Sequence, residues 1–227
     1  MIPWGERYNQ SRRLIMRSML HHLVSGRHGL VIADFGAQSI NKLKENIIGR
    51  QANYAISEGV DTSANRVLNV DVNPENMPDI LMNLEEPFNM ESNYLDICIA
   101  GDIIEHLYTS RQFTSEIFRV LKSGGSLLIS TPNMVSALRR IKWFFGGIPA
   151  LASHADLMYG IDEVAPQGHG HIHDFNFRVL SSLLKRAGFD IVLERTDGIH
   201  IKNKLWIPAL VIPMTLGDSI IIHARKP

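Results

Sequence analysis

Several short apolar runs in this sequence end on residues able to do chemistry. GLVIAD (29–34) closes on Asp34 and is followed by Phe35, Gly36 and Ala37. RVLNVDV (66–72) carries Asp71 near its end, and DILMNL (79–84) ends on Asn83 and Leu84. LDICIA (95–100) leads into Gly101 and Asp102, then Glu105 and His106. A glycine after a buried strand lets the backbone turn tightly and approach a ligand with no Cβ in the way. An acid after the second strand can accept hydrogen bonds from both ribose hydroxyls. Together these residue types suit a nucleoside-containing cofactor. They do not make a dinucleotide cradle, because the second and third glycines of a GxGxxG are missing after Gly36.

The second chemical feature is histidine. Ten are present, and four fall between His154 and His173. His169, His171 and His173 alternate, so in an extended segment they share one face. Imidazole titrates near neutrality and serves as acid, base or metal ligand. Carboxylate and imidazole donors suit Mg, Mn or Zn. No ligand spacing here is tight, so the preferred reading has no metal and assigns His106 and His171 as base candidates. Cys98 lies mid-strand and reads as a small buried hydrophobe.

These residues need elements to position them. The chain has 227 residues, 45% hydrophobic and 20% charged, which is ordinary for a globular protein with a core of its own. A single cysteine excludes an internal disulfide framework. Lys plus Arg and Asp plus Glu both number 23, so no bulk basic surface is present to grip nucleic acid. No apolar run suits a signal peptide or a bilayer span, and a cytoplasmic protein is expected.

Periodicity predicts helices over Arg12–Val24, Ser39–Ala55, Ser110–Leu121 and Phe177–Ala187. In the first, Leu14, Ile15, Met19, Leu20 and Leu23 form the apolar side, with Arg12, Arg13 and Arg17 elsewhere on the wheel. Strands are predicted over Gly29–Asp34, Arg66–Val72, Asp79–Leu84, Leu95–Ala100, Ser126–Ser130, Phe189–Glu194 and Ser219–Ala224, with a turn at Lys122–Gly125. Strands alternating with helices imply an α/β, Rossmann-like, doubly wound and mainly parallel sheet. Ligands bind such sheets beyond the carboxyl ends of the strands, which is where the residues above fall.

Longer motifs carry a resemblance. DILMNLEEPF (79–88), LDICIAGDIIEHL (95–107) and EIFRVLKSGGSLLISTPN (116–133) resemble the class I S-adenosylmethionine-dependent methyltransferases of the small-molecule type. So do HIHDF (171–175), LSSLLKRAGF (180–189) and DSIIIHARKP (218–227). The resemblance runs continuously from Gly29 to Pro132 and again from Gly170 to Pro227. It implies about seven strands, the last one antiparallel, and methyl transfer from S-adenosyl-L-methionine to a small-molecule acceptor. It places Asp34, Gly36 and Ala37 at the methionine part of the cofactor and Asn83 and Leu84 beside adenine. Gly101 and Asp102 face the sulfonium. Asp71 is the ribose acid; Asp61 competes by spacing, but Asp71 ends the more regular strand. Gln38 and Ile40 stand where the family has glycines.

The expected organisation is a single domain: an N-terminal helix (1–28), a cofactor-binding core (29–132), a lid or acceptor insertion (133–170) and the C-terminal part of the sheet (171–227). Two other functions compete. One is an inactive methyltransferase-like binding subunit, motivated by the missing glycines. The other is a metal-assisted RNA 2′-O-methyltransferase, since Asp102-x-x-Glu105-His106 with a distant histidine resembles the ligand pattern of that group. The neutral charge argues against RNA.

In the insertion, Arg139, Arg140 and Lys142 precede Trp143, Phe144 and Phe145. This reads first as a helix with snorkelling cations and an aromatic core face, and second as a peripheral membrane contact. Leu205–Leu216 is open to three readings: an apolar acceptor pocket, a homodimer contact, or core.

Overall fold

In the computed structural model, residues 4–36, 56–57, 60–61, 63–147, 171–201 and 205–227 are described, with side chains from Arg12 onward. The predicted helix Ser39–Ala55, together with Ala37, Gln38 and Ile40, lies outside them, as do His154, His169 and most of the proposed insertion.

The chain opens with helix α1 (Trp4–Val24), followed by β1 (Val31–Phe35), β2 (Arg66–Asp71), β3 (Ile80–Leu81) and β4 (Leu95–Gly101). Helix α2 (Ser110–Val120) leads into β5 (Leu121–Pro132), and α3 (Ala137–Phe144) follows. Helix α4 (Phe177–Ala187), β6 (Asp190–Arg195), a hairpin of β7 (Ile199–Ile201) and β8 (Leu205–Ile207), and β9 (Ser219–Arg225) complete it. The main sheet has seven strands in the order β3-β2-β1-β4-β5-β9-β6. Neighbours from β3 to β5 are parallel, and β9 runs antiparallel to both β5 and β6. This is the expected doubly wound sheet with its last strand reversed.

The sheet explains why the apolar runs read as strands. Ile97, Cys98, Ile99 and Ala100 of β4 are fully buried, as are Leu127, Leu128 and Ile129 of β5. A central parallel strand is covered on both faces, so its sequence is continuously apolar instead of alternating. One face carries Phe35, Phe88, Phe113, Ile117, Leu180 and Leu184; the other carries Met16, Leu20, Ile32, Ile97 and Ile221.

Helix α4 has the predicted bounds. The Asn176 side chain accepts from Val179 N–H at its start, and Gly188 ends it at φ +108°. The predicted turn at Lys122–Gly125 survives as a bulge within β5. Leu95 pairs with Leu121, but Ile97 pairs with Ser126.

Two side-chain expectations are corrected. Helix α1 buries Arg12, Met16 and Leu20 and leaves Leu14 60% exposed. Its inward face is the i, i+4, i+8 row starting at an arginine, because that arginine finds partners in Asp102 and the buried Ser219. In α3 the aromatic residues are not core: Phe144 is 85% exposed, and Trp143 and Phe145 are also exposed. Arg139 and Arg140 donate instead to the backbone carbonyls of Asn133 and Val135. Leu205–Leu216 is β8 followed by two short 3-10 turns, with Leu210 and Val211 exposed. No described helix is long and apolar enough to cross a membrane.

Candidate active site

The sheet reverses its winding between β1 and β4, where Phe35 pairs with Ala100. Gly36 and Gly101 therefore lie side by side just past that pair. This is the switch-point crevice in which doubly wound sheets bind ligands. Gly36 has φ +73°, and the Ile103 side chain occupies the space a Cβ would take. At Gly101 a Cβ would lie 2.5 Å from Ile56 Cδ1. The two glycines thus form a shallow floor on which Ile103 and Ile56 rest.

Acids border this floor. Asp34, next to last in β1, is buried and accepts from Ser57 N–H (2.9 Å) and Ser57 Oγ–H (2.8 Å). Burial pushes its carboxyl up to about 6, against the opposing pull of the Ser57 hydrogen bonds and of Arg13. Asp71 ends β2 and accepts from Asn73 N–H (2.7 Å) and Asn76 Nδ2 (3.0 Å), which hold it at the strand's carboxyl end. Its rival, Asp61, lies before β2 begins and closes a local turn with Ser63. Asp61 therefore sits toward the amino ends of the strands, the opposite edge of the sheet from Asp71. A cavity of about 610 Å³ between α1 and residues 56–65 touches Asp61 and none of the residues at the strands' carboxyl ends.

Asn83 and Leu84 follow β3. Leu84 is buried, while exposed Asn83 donates to Glu86 and accepts from Glu85 N–H. Glu85 in turn accepts from Tyr108 and Thr109 at the start of α2, so this loop is tied to the segment after β4.

Asp102 holds a left-handed backbone conformation, φ +54°, which is uncommon outside glycine. Its carboxylate pairs with Arg12 from α1 and accepts from Ser130 Oγ at 3.2 Å. Arg12 also donates to Ser219 Oγ, whose hydroxyl donates to Asp197. One guanidinium therefore joins α1, the end of β4 and the start of β9. The sequence carried no signal for this role, since an arginine in an amphipathic helix looks like a solvated one.

A single 3-10 turn, Ile104–His106, carries the next group. Glu105 is 1% exposed and accepts from Thr131 Oγ1 at 2.9 Å, and its Oε1 is buried without a hydrogen-bond partner. Burial, reinforced by the nearby Asp102 charge, pushes its carboxyl up to about 8. The chain returns to this point at residues 171–173: Ile172 and His173 both donate their backbone N–H to the Glu105 carbonyl (2.7 and 3.1 Å). Phe175 then bridges to Asn133 at the end of β5. As a result the His106 and His171 rings meet edge to face with centroids 4.7 Å apart. The structure thus brings together two histidines 65 positions apart. His173 points elsewhere, toward the Tyr108 carbonyl at 3.4 Å.

Comparison with known proteins agrees with this geometry. A family profile described as a methyltransferase domain matches residues 45–129. This match likens the chain to the class I S-adenosylmethionine-dependent methyltransferases. A Mycolicibacterium smegmatis protein named a probable S-adenosylmethionine-dependent methyltransferase is 26% identical over 197 residues, 86% of this chain. The matched part of this chain spans 63% of that relative's length. Among solved structures, the N-methyltransferase NodS of Bradyrhizobium japonicum, in complex with S-adenosylhomocysteine, superposes with a TM-score of 0.56 at 12% identity, covering 99% of this chain and 92% of NodS. A methyltransferase of Haloferax volcanii, solved with a methyltransferase activator, gives 0.56 at 10% identity over 98% and 93% of the two chains. At such identities the two structures show a shared fold.

Proposed function

We propose that this protein transfers a methyl group from S-adenosyl-L-methionine to a small-molecule acceptor. The observation that carries the reading is the paired floor of Gly36 and Gly101 at the switch point, with Asp71 and Asp102 at the neighbouring strand ends. A nucleoside lying along these ends places its ribose at Asp71 and its sulfonium near Gly101. Ile103 and Ile56 must yield for it, and both are flexible at their tips.

Methyl transfer from a sulfonium is an in-line displacement, so the protein's main contribution is alignment and exclusion of water. Where the acceptor carries a proton, we assign the base to His106 or His171, whose rings meet at the turn after β4. Glu105 and Thr131 position the turn that carries His106. A small acceptor is favoured over RNA by the equal numbers of cationic and anionic residues.

Calorimetric titration with S-adenosylhomocysteine tests the reading. We expect saturable binding at micromolar ligand, weakened at least tenfold in Asp71→Asn and unchanged in Asp61→Asn. Absence of binding at millimolar ligand would assign the chain to inactive, methyltransferase-like binding proteins. Salt-dependent RNA binding would move the acceptor from a small molecule to RNA.

A further inference from the structure

Glu105, His106 and His171 each present a ligand atom, and these three atoms lie within 4.8 Å of one another. We infer that they form a three-ligand site for a divalent transition-metal ion, open on the acceptor side of the crevice. Three independent observations meet here. The first is the convergence itself, which needs the return of the chain at residues 171–173 onto the Glu105 carbonyl. The second is Glu105 Oε1. A carboxylate oxygen buried in a 1% exposed side chain with no donor is costly unless a cation or proton satisfies it. The third is Thr131, which holds Oε2 and leaves Oε1 as the oxygen available to an ion.

The geometry also removes a ligand that sequence spacing offers. Asp102 stands three residues before Glu105 but is engaged by Arg12 and Ser130. That leaves one carboxylate and two imidazoles among the described residues. Such a set favours Mn, Fe, Co, Ni or Zn over Mg or Ca, which prefer all-oxygen shells. Metal–ligand distances of about 2.1 Å separate neighbouring donors by about 3 to 3.5 Å. Closing from 4.8 Å takes only small side-chain rotations. Three protein ligands leave coordination positions for an incoming group, so the matching acceptor is one that offers an oxygen, such as a hydroxyl; with the ion bound, His106 and His171 serve as ligands in place of bases, and the ion would acidify the hydroxyl. The inference rests on the proposed function only for that acceptor class; the metal site stands on its own residues.

The test uses the chelator-stripped 227-residue chain titrated with Co²⁺ and followed by visible absorption, and with Mn²⁺ followed by the loss of the free-ion spin-resonance signal. We expect one equivalent to bind, with Co²⁺ affinity reduced at least 30-fold in Glu105→Gln and in His171→Ala. Glu105→Gln keeps an oxygen for Thr131, so the turn is retained; thermal melts confirm that each variant is folded. His173→Ala, two residues from His171 but turned toward Tyr108, should bind as the parent does. No binding of either ion at millimolar concentration, or equal binding by parent, Glu105→Gln and His171→Ala, overturns the site. S-adenosylhomocysteine titration of the stripped protein separates the two readings. Cofactor binding without metal binding rejects the site alone, and metal binding without cofactor binding rejects methyl transfer alone.

Discussion

The guanidinium of Arg12 pairs with the carboxylate of Asp102 across the end of β4, fastening the N-terminal helix over the switch-point crevice. Asp102 holds this contact from a left-handed backbone position beside Gly101. The pair therefore couples the packing of α1 to the shape of the candidate cofactor site.

Removing one partner of a largely buried ion pair leaves an uncompensated charge. Asp102 keeps about a quarter of its exposure, so water offsets part of that loss. We expect Arg12→Met to lower unfolding stability by about 2 kcal/mol in urea titration. Adding Asp102→Asn to Arg12→Met should recover part of it, because the orphaned charge is gone. A double variant as unstable as the sum of the two single variants would show that the residues do not interact.

Asp34 gives a pH signature. Its carboxyl lies near 6 in the folded protein against an ordinary 3.8, so the native state holds the proton more tightly than the unfolded chain. The stability this group contributes is fully present below pH 4 and falls as pH rises through about 6, by about 3 kcal/mol in all. Asp34→Asn cannot ionise and removes this slope. We expect the variant to be more stable than the parent at pH 8 by about 1–2 kcal/mol, less than the full amount because Nδ2 must find an acceptor. Near pH 4 the advantage should vanish. Urea titrations at both pH values measure it, and the same pH 4 to pH 8 difference in parent and variant would reject the assignment.

The two floor glycines separate by mechanism. Gly36→Ala meets both an unfavourable φ and the Ile103 side chain, and we expect a loss of about 1–3 kcal/mol. Gly101→Ala has no positive φ and meets only the mobile tip of Ile56, so its stability cost should stay below about 1 kcal/mol. Both alanines raise the floor. S-adenosylhomocysteine affinity should fall at least tenfold in each, and Gly101→Ala is the cleaner test because its fold is nearly unperturbed. Unchanged affinity in Gly101→Ala would place the cofactor elsewhere.

By itself the sequence determined the layers and the order of strands along the chain, while β3 shrank to Ile80–Leu81 and β5 grew to Leu121–Pro132. Apolar runs such as LDICIA (95–100) are long enough and regular enough to be central strands, and residues after such strands must reach the ligand edge of a doubly wound sheet. The placement of Asp71, Gly101 and Asp102 at strand ends was legible for that reason, and so were the bounds of α4, where Asn176 and Gly188 act as local caps. Tertiary structure decided what local pattern does not encode. Periodicity assigns a face of α1 but not the partner of Arg12, because Asp102 and Ser219 arrive from strands about 90 and 207 positions away. Sequence spacing presented Asp102, Glu105 and His106 as one group and His169, His171 and His173 as another. The fold takes Asp102 out through Arg12 and turns His173 aside. Of the described histidines it brings His171 to Glu105 and His106, because two backbone N–H groups of residues 172 and 173 find their acceptor on Glu105.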